Sequence, residues 1–92
     1  MSTGVTDNPD ASRYELTVDG TQAGFVTYRL RPGVITLLHA EVDPDREGQG
    51  LGSKMVVEML DQIRARGLAV RPVCPFVAAY IESHPEYADL VA

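Results

Sequence analysis

The middle of the sequence contains one segment whose apolar residues recur at the spacing of an amphipathic α-helix. They fall on one side of a helical wheel and are Leu51, Met55, Val56, Met59, Leu60 and Ile63. This helix is expected to end near Arg66, because Arg64 and Arg66 suit the negative end of a helix and Gly67 suits the position just after it. A chain of 92 residues has room for one two-layer core. The helix therefore has to form one layer of that core.

The segments around the helix have the alternation or the β-branched composition of strands. The predicted strands are Arg13–Val18, residues 23–30, Val34–Val42 and residues 68–73, with turns at Asp19-Gly20 and Arg31-Pro32-Gly33. Val34–Val42 has few polar residues, as expected for a strand covered on both faces. Pro75 suits the first position of a second, shorter helix over residues 76–82. The order β-β-β-α-β-α predicts an α+β fold with a mixed, mostly antiparallel sheet.

The first twelve residues differ from the rest of the chain. They are small and polar, include Gly4, Asn8 and Pro9, and show no periodicity. Residues 1–12 are therefore predicted to form a flexible N-terminal tail. Residues 13–92 then form a single domain, because so short a chain rarely holds a second core.

Composition and charge narrow the classes of function. The formal charge of −5 argues against nucleic-acid binding, which needs clustered Lys and Arg, and no apolar run is long enough to span a membrane. One cysteine cannot pair within the chain, and the sequence opens without a signal peptide, so we expect a cytoplasmic protein with a reduced thiol. Two histidines and one cysteine show no metal-ligand spacing, so no metal site is predicted.

A glycine-rich segment lies between the third predicted strand and the long helix. It reads Gly48-Gln49-Gly50-Leu51-Gly52-Ser53. Glycines in this position let an anion approach free backbone N–H groups at the positive end of a helix, as in many phosphate sites. The same residues also occur in simple turns, and their spacing leaves both interpretations open. A Walker A loop is excluded, because the Lys-Ser/Thr pair of that motif is missing.

Residues 47–52 resemble motif A of the GCN5-related N-acetyltransferases, usually written [Gln/Arg]-x-x-Gly-x-[Gly/Ala]. Gly50 and Gly52 match this pattern, whereas Glu47 stands where the family normally has Gln or Arg. A carboxylate cannot donate a hydrogen bond to a phosphate. Backbone N–H groups would then hold the pyrophosphate of acetyl-CoA. Arg46, one residue earlier, is either a candidate to assist them or a solvated surface residue.

The resemblance extends over about residues 14–90. Three further segments are similar to those of a group of very small members of this family, in which a cysteine sits at the cofactor site: residues 39–42, residues 73–76 and residues 80–87. The resemblance implies a minimal version of the family fold, without the usual first helices and C-terminal hairpin. It places coenzyme A between the strands that end near Val42 and Val73. The implied cofactor-binding residues are Val42, Gly48, Gln49, Gly50, Leu51, Gly52, Ser53 and Cys74.

Four residues are candidates for the chemistry of acetyl transfer. His39 and Glu41 lie two residues apart in a strand, so their side chains should project from one face, and either is a candidate proton acceptor. Cys74 precedes Pro75 and is a candidate N-cap residue, where the positive end of a helix stabilises a thiolate. It could accept the acetyl group, form a mixed disulfide with coenzyme A, line the thioester pocket, or be a buried apolar residue. Tyr80 stands roughly where the family often keeps a tyrosine that protonates the departing thiolate, and packing against the sheet is the alternative.

Two hypotheses of function follow. The first is a cytoplasmic N-acetyltransferase that moves an acetyl group from acetyl-CoA to the amine of a small molecule or a protein, directly or through Cys74. The alternative is a non-catalytic module that binds acetyl-CoA or coenzyme A and regulates a partner. A third hypothesis, a small interaction domain, predicts no coenzyme A binding. The acceptor is left unspecified, and we expect a monomer or a homodimer.

Overall fold

The structure, a computed structural model, describes residues 2–46 and 48–92. Within these ranges five strands form one sheet in chain order. The elements are β1 (Thr3–Asn8), β2 (Arg13–Val18), β3 (Thr21–Arg31), β4 (Val34–Val42), α1 (Leu51–Ala65), β5 (Ala69–Pro72) and α2 (Pro75–Ser83). Strands β1 to β4 pair antiparallel, and β5 runs parallel to β4. The predicted α+β class with a mixed sheet is confirmed, and the sheet has one further strand, β1, before the first predicted one.

The prediction of an N-terminal tail is wrong for the residues of β1. This strand pairs with β2 along its whole length, from Thr3 opposite Val18 to Asn8 opposite Arg13. The Asp7 carboxylate accepts hydrogen bonds from the Tyr28 hydroxyl at 2.6 Å and from Arg66 at 3.2 Å. A strand at the edge of a sheet needs no apolar alternation when its backbone is paired and its polar side chains find partners, so its polar composition gave no strand signal.

Helix α1 follows the predicted pattern. The six apolar residues of the predicted face are all buried, and Arg66 forms the C-cap of the helix. Gly67 has a φ of 71°, the left-handed conformation that ends many helices. None of the helices that the structure describes is long and apolar enough to cross a membrane.

The core lies between the sheet and one layer of helices. On the sheet side it contains Tyr14, Leu16, Val18, Val26, Tyr28, Ile35 and Leu37, and on the helix side the apolar face of α1 with Val77 and Ile81 of α2. The expectation that Val34–Val42 is covered on both faces is wrong, because burial alternates along β4 and His39 and Glu41 are exposed. The apolar composition of β4 instead reflects Ile35 and Leu37, which are buried in the core, and Ala40 and Val42, which are partly buried and pack against it. We call the side of the sheet opposite the helices the open face.

The segment after α2 returns to α1. A 3₁₀ turn, Pro85–Leu90, places Tyr87 in the core, where its hydroxyl donates to Asp61 at 2.9 Å. Burial, followed by this bond to Asp61, raises the pKa of Tyr87 to about 12. Arg64 donates to the Asp89 carboxylate at 2.7 Å, which holds the pKa of that carboxyl below its usual range. These contacts fix residues 85–90 against the C-terminal part of α1.

Candidate functional site

Strands β4 and β5 part after a short parallel ladder. Val34 to Leu37 of β4 pair with Ala69 to Pro72 of β5, and the last bond across the fork runs from the Cys74 N–H to the Leu37 carbonyl at 2.8 Å. Beyond this point β4 continues to Val42, paired with β3 alone among the described strands, while the chain after Cys74 enters α2. Residues 38–42 therefore present a strand edge whose backbone groups are available to an extended ligand.

The glycine-rich loop leads directly into α1. Gly48 and Gly50 have φ values of 84° and 71°, which other residues rarely adopt. Gly50 is the N-cap residue, and no side chain of the described residues caps the helix. The N–H groups of Leu51, Gly52 and Ser53 consequently lack helical partners and lie at the positive end of α1. This geometry suits a phosphate group.

Two adjoining cavities connect the loop to the free edge of β4. The first, the loop cavity, has a volume of about 290 Å³ and is lined by Val42, Arg46, Gly48, Gly50, Leu51, Gly52, Ser53 and Phe76. The second, the β4 cavity, has about 180 Å³ and is lined by Ala40, Glu41, Val42, Met55 and Phe76. Because they share Val42 and Phe76, we treat them as one cleft. Of the predicted cofactor residues, Gln49 and Cys74 are outside this lining.

His39 and Glu41 lie beside the cleft on the open face. Their side chains project from the same side of β4, as predicted, with Nε2 of His39 at 3.6 Å from Oε2 of Glu41. Both side chains are about 60% exposed. Glu41 lines the β4 cavity and also a broader depression of about 390 Å³ at the ends of β3 and β4. A carboxylate at this junction can accept a proton from a group in the cleft and pass it to solvent.

Cys74 occupies the fork itself. It is the N-cap residue of α2, as predicted, but its side chain makes no capping bond and the residue is only 3% exposed. The thiol is therefore part of the core beneath the point where the strands part.

Tyr80 lies one turn along α2 from Phe76. Its ring stacks on His84, with centroids 3.9 Å apart, and burial raises the pKa of its hydroxyl. The structure does not bring Tyr80 into the lining of the cleft.

Sequence comparison relates this chain to a known protein family. A family model described as GCN5-related N-acetyl-transferase matches residues 13–90. The chain belongs to this family. Its members use acetyl-CoA as the acetyl donor. Position 47, where the family motif normally has Gln or Arg, lies outside the described residues.

Several proteins resemble the chain over part or all of its length. The [ribosomal protein bS18]-alanine N-acetyltransferase of Escherichia coli is 34% identical over 56 residues, which are 61% of this chain and 38% of that enzyme. Mycothiol acetyltransferase of Clavibacter michiganensis is 42% identical over 50 residues, 54% of this chain and 16% of that enzyme. The chain thus spans less than half of these relatives.

Solved structures agree with the fold. A GCN5-like protein from Staphylococcus aureus superposes with a TM-score of 0.72 at 20% identity, covering 97% of this chain and 87% of that one. The crystal structure of the Escherichia coli S18-alanine enzyme gives a TM-score of 0.63 at 30% identity, covering 77% of this chain and 49% of that one.

The cleft fits a phosphate-bearing ligand in two respects. A Cβ atom added at Gly48 or Gly50 would meet no atom within 4 Å, so the loop backbone is open to a ligand. Among the described residues of the loop cavity, Arg46 alone is charged, and its charge is positive. Sequence reasoning gave Phe76, Met55 and Ala40 no role in the cleft, because an aromatic in a short helix, an apolar residue on a helix face and an alanine in a strand carry no distinctive signal.

Proposed function

We propose that this protein is an N-acetyltransferase that uses acetyl-CoA as donor and an amine as acceptor. The observation that carries the proposal is the alignment of two features along one cleft. Free N–H groups at the start of α1 suit a pyrophosphate, and the unpaired edge of β4 suits the amides of an extended arm. A ligand with a phosphate at one end and an amide-bearing chain at the other matches both.

Named residues hold each end of the donor in this proposal. The N–H groups of Leu51, Gly52 and Ser53, assisted by Arg46, bind the phosphates. Backbone groups of residues 38–42 bind the arm and so direct the thioester towards the fork near Leu37 and Cys74. When bound, the donor supplies an acetyl group on sulfur, an acyl group already activated for transfer.

His39 and Glu41 together are the proposed proton acceptor: His39 lies two residues from Leu37 at the fork, and Glu41 is its partner. An amine attacks a thioester through its nitrogen lone pair, so its extra proton has to leave as the C–N bond forms and the C–S bond breaks. The Glu41 carboxylate borders the β4 cavity and contacts His39 at 3.6 Å, so the proton can pass from the cleft to the exposed pair and on to water.

Direct transfer is the version of the reaction that we propose. A relay through Cys74 needs its thiol at the thioester, and this residue is 3% exposed beneath the fork. Tyr80 remains a proposed proton donor to the leaving thiolate, since a tyrosine hydroxyl is protonated at neutral pH and Tyr80 lies one turn along α2 from Phe76, which lines the cleft. Cys74→Ala should then keep kcat within about threefold of wild type, whereas Tyr80→Phe should lower it at least tenfold, roughly the contribution of one proton donor.

Calorimetric titration with acetyl-CoA tests the donor site. Gly50→Ala should abolish saturable binding, because an L-residue resists a φ of 71° and the loop has to change shape. Gly33→Ala is the matched control: Gly33 has a φ of 77° in the turn at the opposite end of β4, with open space around it. It should lose similar stability and bind normally.

Two results would count against the proposal. If wild-type protein shows no binding at about millimolar acetyl-CoA, weaker than almost any enzyme uses its substrate, the donor site is absent. If acetyl-CoA binds but neither turnover over an amine panel nor any effect of Glu41→Gln is detected, the non-catalytic binding module becomes the better account.

A further inference from the structure

The three glycines of the loop are required for different reasons. Gly48 and Gly50 have positive φ angles and open space where a Cβ would stand. Gly52 is the second residue of α1 and has no positive φ, so its backbone would accept any L-residue. A Cβ at Gly52 would instead lie 2.9 Å from Cζ of Phe76, with Cε1 and Cε2 at 3.5 and 3.6 Å. The missing side chain of Gly52 thus makes room for the tip of an aromatic ring.

Phe76 holds a particular place in the cleft. It is the second residue of α2 and is 47% exposed, a large exposed fraction for an aromatic side chain. It lines both the loop cavity and the β4 cavity. Any molecule that reaches from the N-terminus of α1 to the free edge of β4 has to pass this ring. Exposed aromatic surface inside a cleft commonly marks the place where a ligand packs.

We propose that Phe76 binds the arm of the donor where it passes from the loop cavity to the β4 cavity, and that Gly52 acts as a positioning residue by seating the ring. The inference rests on the proposed function, because it needs a donor that occupies both cavities. The N–H group of Gly52 still binds a phosphate, and its missing side chain affects the arm only through the position of Phe76. A methyl group at residue 52 displaces the ring, the free end of a side chain, and leaves the backbone of α1 in place.

Two reasons for a glycine at position 52 can be told apart by experiment. If Gly52 only allows the phosphate to approach the backbone, Gly52→Ala weakens binding whether or not residue 76 is aromatic. If it seats Phe76, Gly52→Ala weakens binding in the wild-type background and has no further effect once the ring is removed. A double-mutant cycle separates these cases, since residues that act through one contact are not additive.

Titration with acetyl-CoA would be measured for wild type, Gly52→Ala, Phe76→Ala and the double variant. We expect each single variant to raise Kd about tenfold, typical of a lost aromatic contact, and the double variant to match Phe76→Ala. Phe76→Leu should recover part of the affinity. Adenosine 3′,5′-bisphosphate, which lacks the arm, should bind wild type and Phe76→Ala alike.

Folding and ligand effects are separable in this experiment. Ala is favoured over Gly inside a helix, so Gly52→Ala should not lower the thermal midpoint, and Phe76 is exposed enough for its variants to fold. Equal weakening by Gly52→Ala in both backgrounds, or no weakening in wild type, would overturn the role of Phe76 and leave the acetyl-CoA site intact. Absence of acetyl-CoA binding by wild type would instead reject the proposed function, and this inference with it.

Discussion

Replacing Asp7 with Ala should destabilise the protein substantially, although Asp7 lies in a segment with the composition of a tail. Its carboxylate accepts a hydrogen bond from the Tyr28 hydroxyl at 2.6 Å and one from Arg66 at 3.2 Å. Tyr28 is 6% exposed, so its hydroxyl has no easy access to water once Asp7 is removed. A hydrogen bond to a charged group contributes about 1.5–3 kcal/mol, and a half-exposed ion pair adds at most about 1 kcal/mol. Asp7→Ala should therefore lower the free energy of unfolding by about 2–3 kcal/mol.

Urea denaturation followed by circular dichroism measures this effect. With an m-value near 1 kcal/mol/M for so small a domain, the midpoint should fall by about 2 M. Asp10→Ala is the control, because Asp10 is exposed in the 3₁₀ turn between β1 and β2 and should change stability by less than about 0.5 kcal/mol. If the two variants are equally stable, β1 is not anchored through Asp7 and the argument for it is wrong.

Three further predictions concern packing, pH and chemistry. Gly24→Ala should lower the free energy of unfolding by about 1–3 kcal/mol, since its Cβ would lie 2.7 Å from the Glu41 carbonyl oxygen on the paired strand β4. Gly4→Ala is the control in urea denaturation and should be nearly neutral, because its Cβ would lie 3.8 Å from the nearest atom. The unfolded chain loses the Tyr87 proton at about pH 10, so the stability due to its raised pKa is complete below that pH and is lost as the pH rises towards about 12. Tyr87→Phe should flatten that decline in thermal midpoint, and an unchanged slope would exclude the effect. Glu41→Gln should lower kcat about 100-fold with no change in the Kd of acetyl-CoA, and equal loss of both would argue for a binding role instead.

Helix α1 and the shared face of His39 and Glu41 on β4 could be predicted because their signals are local in the sequence. The period of the apolar residues between Leu51 and Ile63, and Gly67 after them, depends on spacing within one segment. His39 and Glu41 were placed on one face by the two-residue period of a strand, and their 3.6 Å contact confirms it.

Strand β1 and the cleft wall could not be predicted because their determinants are distant in sequence. Asp7 is stabilised by Tyr28 and Arg66, 21 and 59 residues away. The reason for a glycine at position 52 lies in α2, at Phe76, and no motif within the loop reveals that contact. The open face of the sheet could not be predicted either, because the apolar composition of β4 does not tell whether helices cover one face of the sheet or both.

The fork between β4 and β5 gives the cleft a fixed length. Pro72, opposite Leu37, has no N–H to extend the parallel ladder, and the Cys74 N–H makes the last bond across the fork. From Leu37 to Val42, beside the glycine loop, β4 advances five residues while its partner β3 advances four, because β4 contains one extra residue at a bulge. The span is therefore about 13 Å at 3.3 Å per residue. In the proposed function, this part of β4 sets the distance between the proposed phosphate site and the proposed reaction site. Lengthening it by two residues would preserve every side-chain orientation and still separate the two sites by about 7 Å too much for a donor of constant length.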